Sequence, residues 1–230
     1  MHYQGTDNLE VMADAVNYNR FLADLVLQNS GASPQAVDFG AGIGTIALMV
    51  RERGLDVICV ETDAAQRDTL AACGVAALPD LDALPDGRMP YIYSLNVLEH
   101  IEDDQLVVED LARKLSPGGR LFIYVPAFQT LFSSMDRKVG HFRRYRRTQL
   151  VQLIERAGLT VVRAEYVDSL GFLATLLYKL LGSNTGDLNR RSIVVFDRVV
   201  FPISRLFDVP LGRMLGKNVY VVATKRARTD

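Results

Sequence analysis

Asp38-Phe39-Gly40-Ala41-Gly42-Ile43-Gly44 limits the fold of this chain more than any other stretch. Its three alternate glycines stand between a short apolar run, 36–39, and a helical pattern that opens at Thr45. Glycine lets the backbone turn tightly and lets a ligand approach where a Cβ would clash. The free N–H groups of the following helix face the same place. A continuous apolar run at 56–60, of the kind found inside a parallel sheet, then ends on Glu61. A carboxylate there can accept hydrogen bonds from both hydroxyls of a ribose. Strand, glycine turn, helix, strand and acid together point to a nucleoside cofactor.

The rest of the chain continues this alternation. Apolar periodicity predicts one or two N-terminal helices across Leu9, Met12, Val16, Phe21, Leu22 and Leu25. Helices are predicted at 45–53, 64–73, 104–115 and 148–157, and strands at 36–39, 56–60, 75–78, 91–95, 120–125, 159–167 and 219–224. Ser116-Pro117-Gly118-Gly119 reads as a tight turn. The last two strands are separated by about fifty residues rich in leucine and arginine, read as a helical insertion. The predicted fold is α/β: a doubly wound, Rossmann-like sheet with helices on both faces. Ligands of such sheets bind outside the carboxyl ends of the strands. The expected organisation is one domain over 1–230, with N-terminal helices in 1–35, a cofactor-binding core in 36–167, the insertion in 168–216 and the final strand and tail in 217–230.

Composition excludes several classes. The chain is 49% hydrophobic and 23% charged, the balance of a globular protein with a full core. Cys59 and Cys73 form neither a disulfide framework nor a zinc spacing. The first residues lack the pattern of a signal peptide, and no apolar run is long enough to span a bilayer. The expected location is therefore cytoplasmic. The formal net charge of -1 argues against a strongly basic nucleic-acid binder, but it conceals a division. Residues 1–136 hold 8 Lys+Arg against 20 Asp+Glu, a net of -12; residues 137–230 hold 18 against 7, a net of +11.

Two cofactor readings follow from the glycines. Gly42-x-Gly44-x-x-Ala47 with Glu61 fits a dinucleotide pattern, and so an NAD-dependent oxidoreductase. Gly40-x-Gly42-x-Gly44 preceded by Asp38 suits a cationic ligand instead, because a carboxylate repels a pyrophosphate. Residues 37–44 with Glu61 resemble motif I and the following acid of class I S-adenosylmethionine-dependent methyltransferases. Pro79-Asp80-Leu81-Asp82-Ala83-Leu84-Pro85, Asn96-Val97-Leu98-Glu99-His100-Ile101 and Leu115-Ser116-Pro117-Gly118-Gly119 are similar to later segments of that family, in the same order. The resemblance implies a seven-stranded sheet with an antiparallel last strand. It also implies S-adenosylmethionine as cofactor, with Asp38, Gly40 and Gly42 near its methionine part, Glu61 and Thr62 at the ribose, and Asp80 and Leu81 at the adenine. Asn96 would line the pocket and Tyr18 would cap it. Some relatives carry Glu-x-x-Glu-His where this chain has Asn96-x-x-Glu99-His100, and bind a divalent metal there. With one acid and one imidazole, a polar strand end without metal is the preferred reading here.

The run 136–147 follows the fifth strand and holds six cationic side chains. Its Gly140-His141-Phe142-Arg143-Arg144-Tyr145 resembles a Gly-His-x-Arg-Arg-Tyr segment of a subset of these methyltransferases. His141 is the candidate base for a hydroxyl or amine acceptor, since imidazole ordinarily titrates near neutrality. A loop-fixing hydrogen bond is the equal alternative for it. Arg143 and Arg144 could instead clamp an acceptor carboxylate, with His100 and Tyr145 beside it. At least half of the arginines are expected to pack against the acidic segment or face water. The expected activity is methyl transfer to an oxygen or nitrogen of a small, partly apolar or anionic acceptor, by a monomer or homodimer. The rivals are the NAD enzyme and a silent cofactor-binding or membrane-docking protein. Nucleic acid is disfavoured as acceptor. The insertion is expected to cap the site or form an interface, with contact to an anionic membrane as the further option.

Overall fold

A computed structural model describes residues 11–31, 33–181 and 190–227. Leu9 of the expected first helix lies outside them, as do the centre of the insertion and the last three residues of the tail. Seven strands form one sheet: β1 (Gln35–Phe39), β2 (Asp56–Val60), β3 (Ala77–Leu78), β4 (Met89–Leu95), β5 (Leu115–Pro126), β6 (Leu159–Val167) and β7 (Asn218–Lys225). Their order is β3-β2-β1-β4-β5-β7-β6. The first five pair in parallel, and β7 runs antiparallel to both β5 and β6. That is the last strand the methyltransferase resemblance requires. The Ser116–Gly119 turn lies within β5: Met89 pairs with Leu115 and Tyr91 already with Arg120, so the intervening residues bulge out of the ladder.

Alternation along the strands sorts the core into two layers. Ile92, Leu121, Ile123, Val219 and Val221 face α4 (Asp104–Lys114) and α6 (Arg147–Arg156), through Val108, Leu111, Leu150 and Ile154. Tyr91, Tyr93, Phe122, Tyr124 and Tyr220 face the other way. There they meet α1 (Val16–Asn29), α2 (Thr45–Arg51) and α3 (Ala64–Ala72) through Phe21, Leu25, Val50 and Leu70. A buried phenol needs a partner, and the Tyr91 hydroxyl donates to the Val26 carbonyl at 2.9 Å. The short α5 (Ser134–Lys138) belongs to the loop after β5.

Between β6 and β7 the chain forms α7 (Ser169–Leu181), α8 (Arg190–Val195), one π-helical stretch (Phe196–Val200) and α9 (Phe201–Leu211). Two buried aspartates of this insertion close helices that begin elsewhere. Asp197 accepts from the backbone N–H groups of Asn17 (3.0 Å) and Tyr18 (2.8 Å), and so caps α1 from 180 residues away. Asp208 accepts from the N–H groups of Asp168 (3.0 Å) and Ser169 (2.8 Å) at the start of α7. Phe201 packs against the Tyr18 and Phe21 rings.

A lost helix cap costs about 1–2 kcal/mol. Asp197→Ala should therefore lower the melting temperature by roughly 2–8 °C, and Asp197→Asn by less, because its amide oxygen still accepts. Identical melting curves for Asp197→Ala and the parent would show that α1 needs no cap from the insertion.

Candidate active site

The carboxyl ends of β1, β2, β4 and β5 open on a cleft of about 700 Å³. Its floor is the glycine turn. Gly40, Gly42 and Gly44 all have positive φ. At Gly40 a Cβ would also overlap the Val97 side chain, so only glycine fits there. The turn is tied to β2 by the Gly40 N–H donating to the Val60 carbonyl at 2.8 Å. Glu61 fixes the far side of the turn: its carboxylate accepts from the Gly42 N–H and from the Asp63 N–H, both at 2.8 Å. Asp38 ends β1 and lines the same floor, with only 3% of its surface exposed. Burial pushes its carboxyl up to about 7; the Tyr93 phenol beside it acts the other way, and the Glu61 charge adds to the rise.

The opposite wall comes from α1 and the end of β4. Asn96 sits at φ 55° and donates its N–H to the Tyr124 carbonyl at 2.7 Å. Tyr18 lines the cleft with its hydroxyl 3.1 Å from that of Tyr124, and burial raises its phenol well above the ordinary range. The Asp197 cap therefore holds not only a helix end but also the backbone of a cleft residue.

The third wall follows β5. His141 Nδ1 lies 2.7 Å from Asp136 Oδ1, and its Nε2 lies 3.9 Å from Glu99 Oε1. Asp136 is fully buried and also receives Arg144 in a fork, Nε at 2.8 Å and Nη2 at 3.0 Å, plus the Ser133 N–H at 2.8 Å. Burial alone would raise its pKa, but the His141 and Arg144 bonds outweigh it and hold the carboxyl well below the usual range. Asp136 is thus an anion, and His141 donates its Nδ1–H to it. Glu99 has the opposite fate. It is fully buried, neither oxygen has a hydrogen-bond partner, and burial pushes it up to about 8. Burial and the neighbouring His141 lower His100 to about 4, so it stays neutral. One donor atom each from Glu99, His100 and His141 lie within 4.8 Å of one another.

The cleft brings together Tyr18, Asp38, Gly40, Gly42, Glu61, Thr62, Asn96, His100, His141 and Arg144. Four expected residues stand apart from it. Asp80 is exposed and caps its own 3-10 turn through the Asp82 and Ala83 N–H groups. Leu81 is buried in the core. Arg143 pairs with Asp104 at 2.7 Å on the outside. The Tyr145 ring is buried, and its hydroxyl donates to Asp104 at 2.7 Å. Both of these last two are held by Asp104, an acid of the acidic segment. Arg144 lines the cleft, but Asp136 occupies its fork, which corrects its reading as a clamp for an acceptor carboxylate. Asp136 and Lys217–Asn218 escaped the sequence reading. Only the lone acid at the head of a basic run hinted at the first, and no motif marks the other two. Lys217 and Asn218 line the cleft, and Asn218 Nδ2 is buried without a partner.

Two carboxylates on the floor, a glycine turn without side chains in the way and room for a nucleoside fit a cationic adenosine cofactor such as S-adenosylmethionine. A methyltransferase-domain family matches residues 14–164, about two thirds of the chain. The chain is 29% identical over 131 residues to an uncharacterized methyltransferase of Mycobacterium tuberculosis, covering 55% of this chain and 49% of that protein. It thus spans about half the length of the curated relatives it matches. Its fold is similar to a SAM dependent methyltransferase from Archaeoglobus fulgidus (TM-score 0.61, 16% identity, 90% of this chain and 94% of that chain). It is also similar to phosphoethanolamine N-methyltransferase 2 of Haemonchus contortus, solved with S-adenosyl-L-methionine (TM-score 0.59, 17% identity, 89% and 52%). With the family matched across the glycine turn and the acid after β2, this chain belongs to the methyltransferase-domain family of S-adenosylmethionine-dependent enzymes.

Proposed function

We propose that the chain moves a methyl group from S-adenosylmethionine to an oxygen or nitrogen of a small, partly apolar or anionic acceptor. One observation carries the reading: an acidic, glycine-turned floor shares its cleft with a histidine whose Nδ1 is already tied to a buried carboxylate. The cofactor supplies an electrophilic methyl group. Asp38 and Glu61 hold its cationic and ribose ends, Thr62 and Asn96 line its seat, and Tyr18 closes over it. His141, fixed by Asp136, keeps the Nε2 lone pair for the proton of a hydroxyl or amine. Asp136 then steadies the imidazolium without taking the proton, because Arg144 and Ser133 stabilise its anion. Glu99, protonated near neutrality, adds no competing charge beside His141. Lys217 and Asn218 supply donors for an acceptor oxygen. The cleft leaves the acceptor a site of small-molecule size.

Cofactor affinity should depend on pH through Asp38. Its folded pKa of about 7 lies above the ordinary carboxylate value, so the free protein carries a proton there below pH 7. A cationic ligand prefers the ionised form. Affinity measured by calorimetry should rise about tenfold per pH unit below 7 and level off above it, with proton release on binding. In the free protein the same shift makes stability fall as pH climbs through 7. Asp38→Asn should weaken binding and flatten the profile. A wild-type profile that is flat from pH 5.5 to 8 would remove Asp38 from the cationic end.

Turnover is read as S-adenosylhomocysteine formed with a panel of small hydroxyl, amine and carboxylate acceptors. His141→Ala should lower kcat by about 10²–10⁴-fold with cofactor affinity kept. Unchanged turnover would leave His141 a loop-fixing residue. The convergence of Glu99, His100 and His141 also favours a second use of the same side chains, as ligands of a divalent transition metal. Activity lost to a chelator and restored by zinc or manganese would replace proton transfer with that role.

A further inference from the structure

We propose that the 168–216 insertion is a docking surface for an anionic lipid bilayer. After α7 and α9 have packed on each other, α9 also on β6 and α7 on the turn Gln129–Leu131, each keeps an outward apolar stripe. On α7 the stripe is Leu173, Leu177 and Leu180; from α8 through α9 it is Val195, Val199, Ile203, Leu206 and Phe207, with Val209 beside it. Leu206 is 73% exposed and Val209 86%. Single exposed apolar residues are ordinary, but rows of them repeated at helical spacing along two packed helices mark an interaction site.

The charges of the insertion are sorted as strictly as its apolar groups. Among the described residues its acids, Asp168, Asp197 and Asp208, are all buried and bonded inside. Most of its cations lie at the surface: Arg198 and Arg213 are exposed, as are Arg191 and Lys179, the latter with its ammonium on the Thr130 carbonyl, while Arg190 meets Asp14 and Arg205 meets Asp208. The outer face is therefore leucine, valine and positive charge. A symmetric second copy would set those cations against one another. A bilayer with anionic headgroups takes both components, apolar side chains at the acyl boundary and cations at the phosphates. No described helix is long and apolar enough to cross a membrane, so the surface would rest on the bilayer rather than enter it. Docking reaches the cleft through Asp197, which holds the backbone of Tyr18.

The test is flotation of the full chain with vesicles of phosphatidylcholine, with or without phosphatidylglycerol, at low and high salt. The protein should float with the anionic vesicles and be released by salt. Leu206→Asp with Val209→Asp should weaken partition at least about tenfold. Arg198→Ala and Arg213→Ala should each weaken it about fivefold. All four replaced side chains are exposed, so melting curves and S-adenosylmethionine calorimetry should match the parent and report folding independently of docking. Absence from anionic vesicles at low salt overturns the proposal, as does partition indifferent to both sets of substitutions. A solution dimer that does not float, and that Leu206→Asp with Val209→Asp splits, assigns the face to a second copy and overturns it too.

Discussion

The loop after β5 is organised by one buried anion. Asp136 gathers an imidazole, a guanidinium fork and a backbone N–H around a carboxylate with no exposed surface. Each donor comes from the same run of a dozen residues, so the acid folds the run onto itself. A buried charge is tolerated only when it is matched and hydrogen-bonded, and here every lone pair has work. The consequence reaches the cleft: Arg144 is removed from the pool of groups free to meet a ligand, and His141 is left with one nitrogen to use. What looks in sequence like a uniform basic patch is, in three dimensions, divided: Arg144 and His141 serve Asp136, and Arg143 serves Asp104.

This explains which parts of the site were legible. The glycine turn could be read because positive φ restricts residue type, and Glu61 because a strand end restricts position. The doubly wound sheet followed from alternation, and the reversed β7 from family likeness. Arg143 and Tyr145 turn away from the cleft because a distant acid takes the guanidinium of one and the phenol of the other, which a local run of residues does not reveal. Asp104, their shared partner, lies some forty residues earlier. Asp80 and Leu81 stand outside the cleft lining for a different reason: the acid caps its own short turn and the leucine packs into the core. Asp197 and Asp208 were invisible, since a helix cap supplied across the chain leaves no local pattern.

The split of charge along the chain also has a physical meaning beyond its sum. Several of the basic residues after 137 are consumed by acids, as Arg144 is by Asp136 and Arg143 by Asp104. On the insertion the described acids turn inward, so its exposed cations set the charge of its outer face. The acidic segment meanwhile keeps Asp38 and Glu61 buried at the cleft, where a cation would relieve their mutual repulsion.

The cap that Asp197 lends to α1 makes the insertion a poor candidate for exchange. In many enzymes a segment between two strands behaves as a cassette that can be trimmed or grafted with the scaffold left intact. Here the segment supplies the terminus of the helix that walls the cofactor cleft, and Phe201 seats that helix from the same side. A graft would have to carry its own aspartate at the same point in space. Variation in this region is therefore expected to concentrate on the outer stripe, where side chains meet nothing of their own chain, and to spare the inward turn that carries the cap.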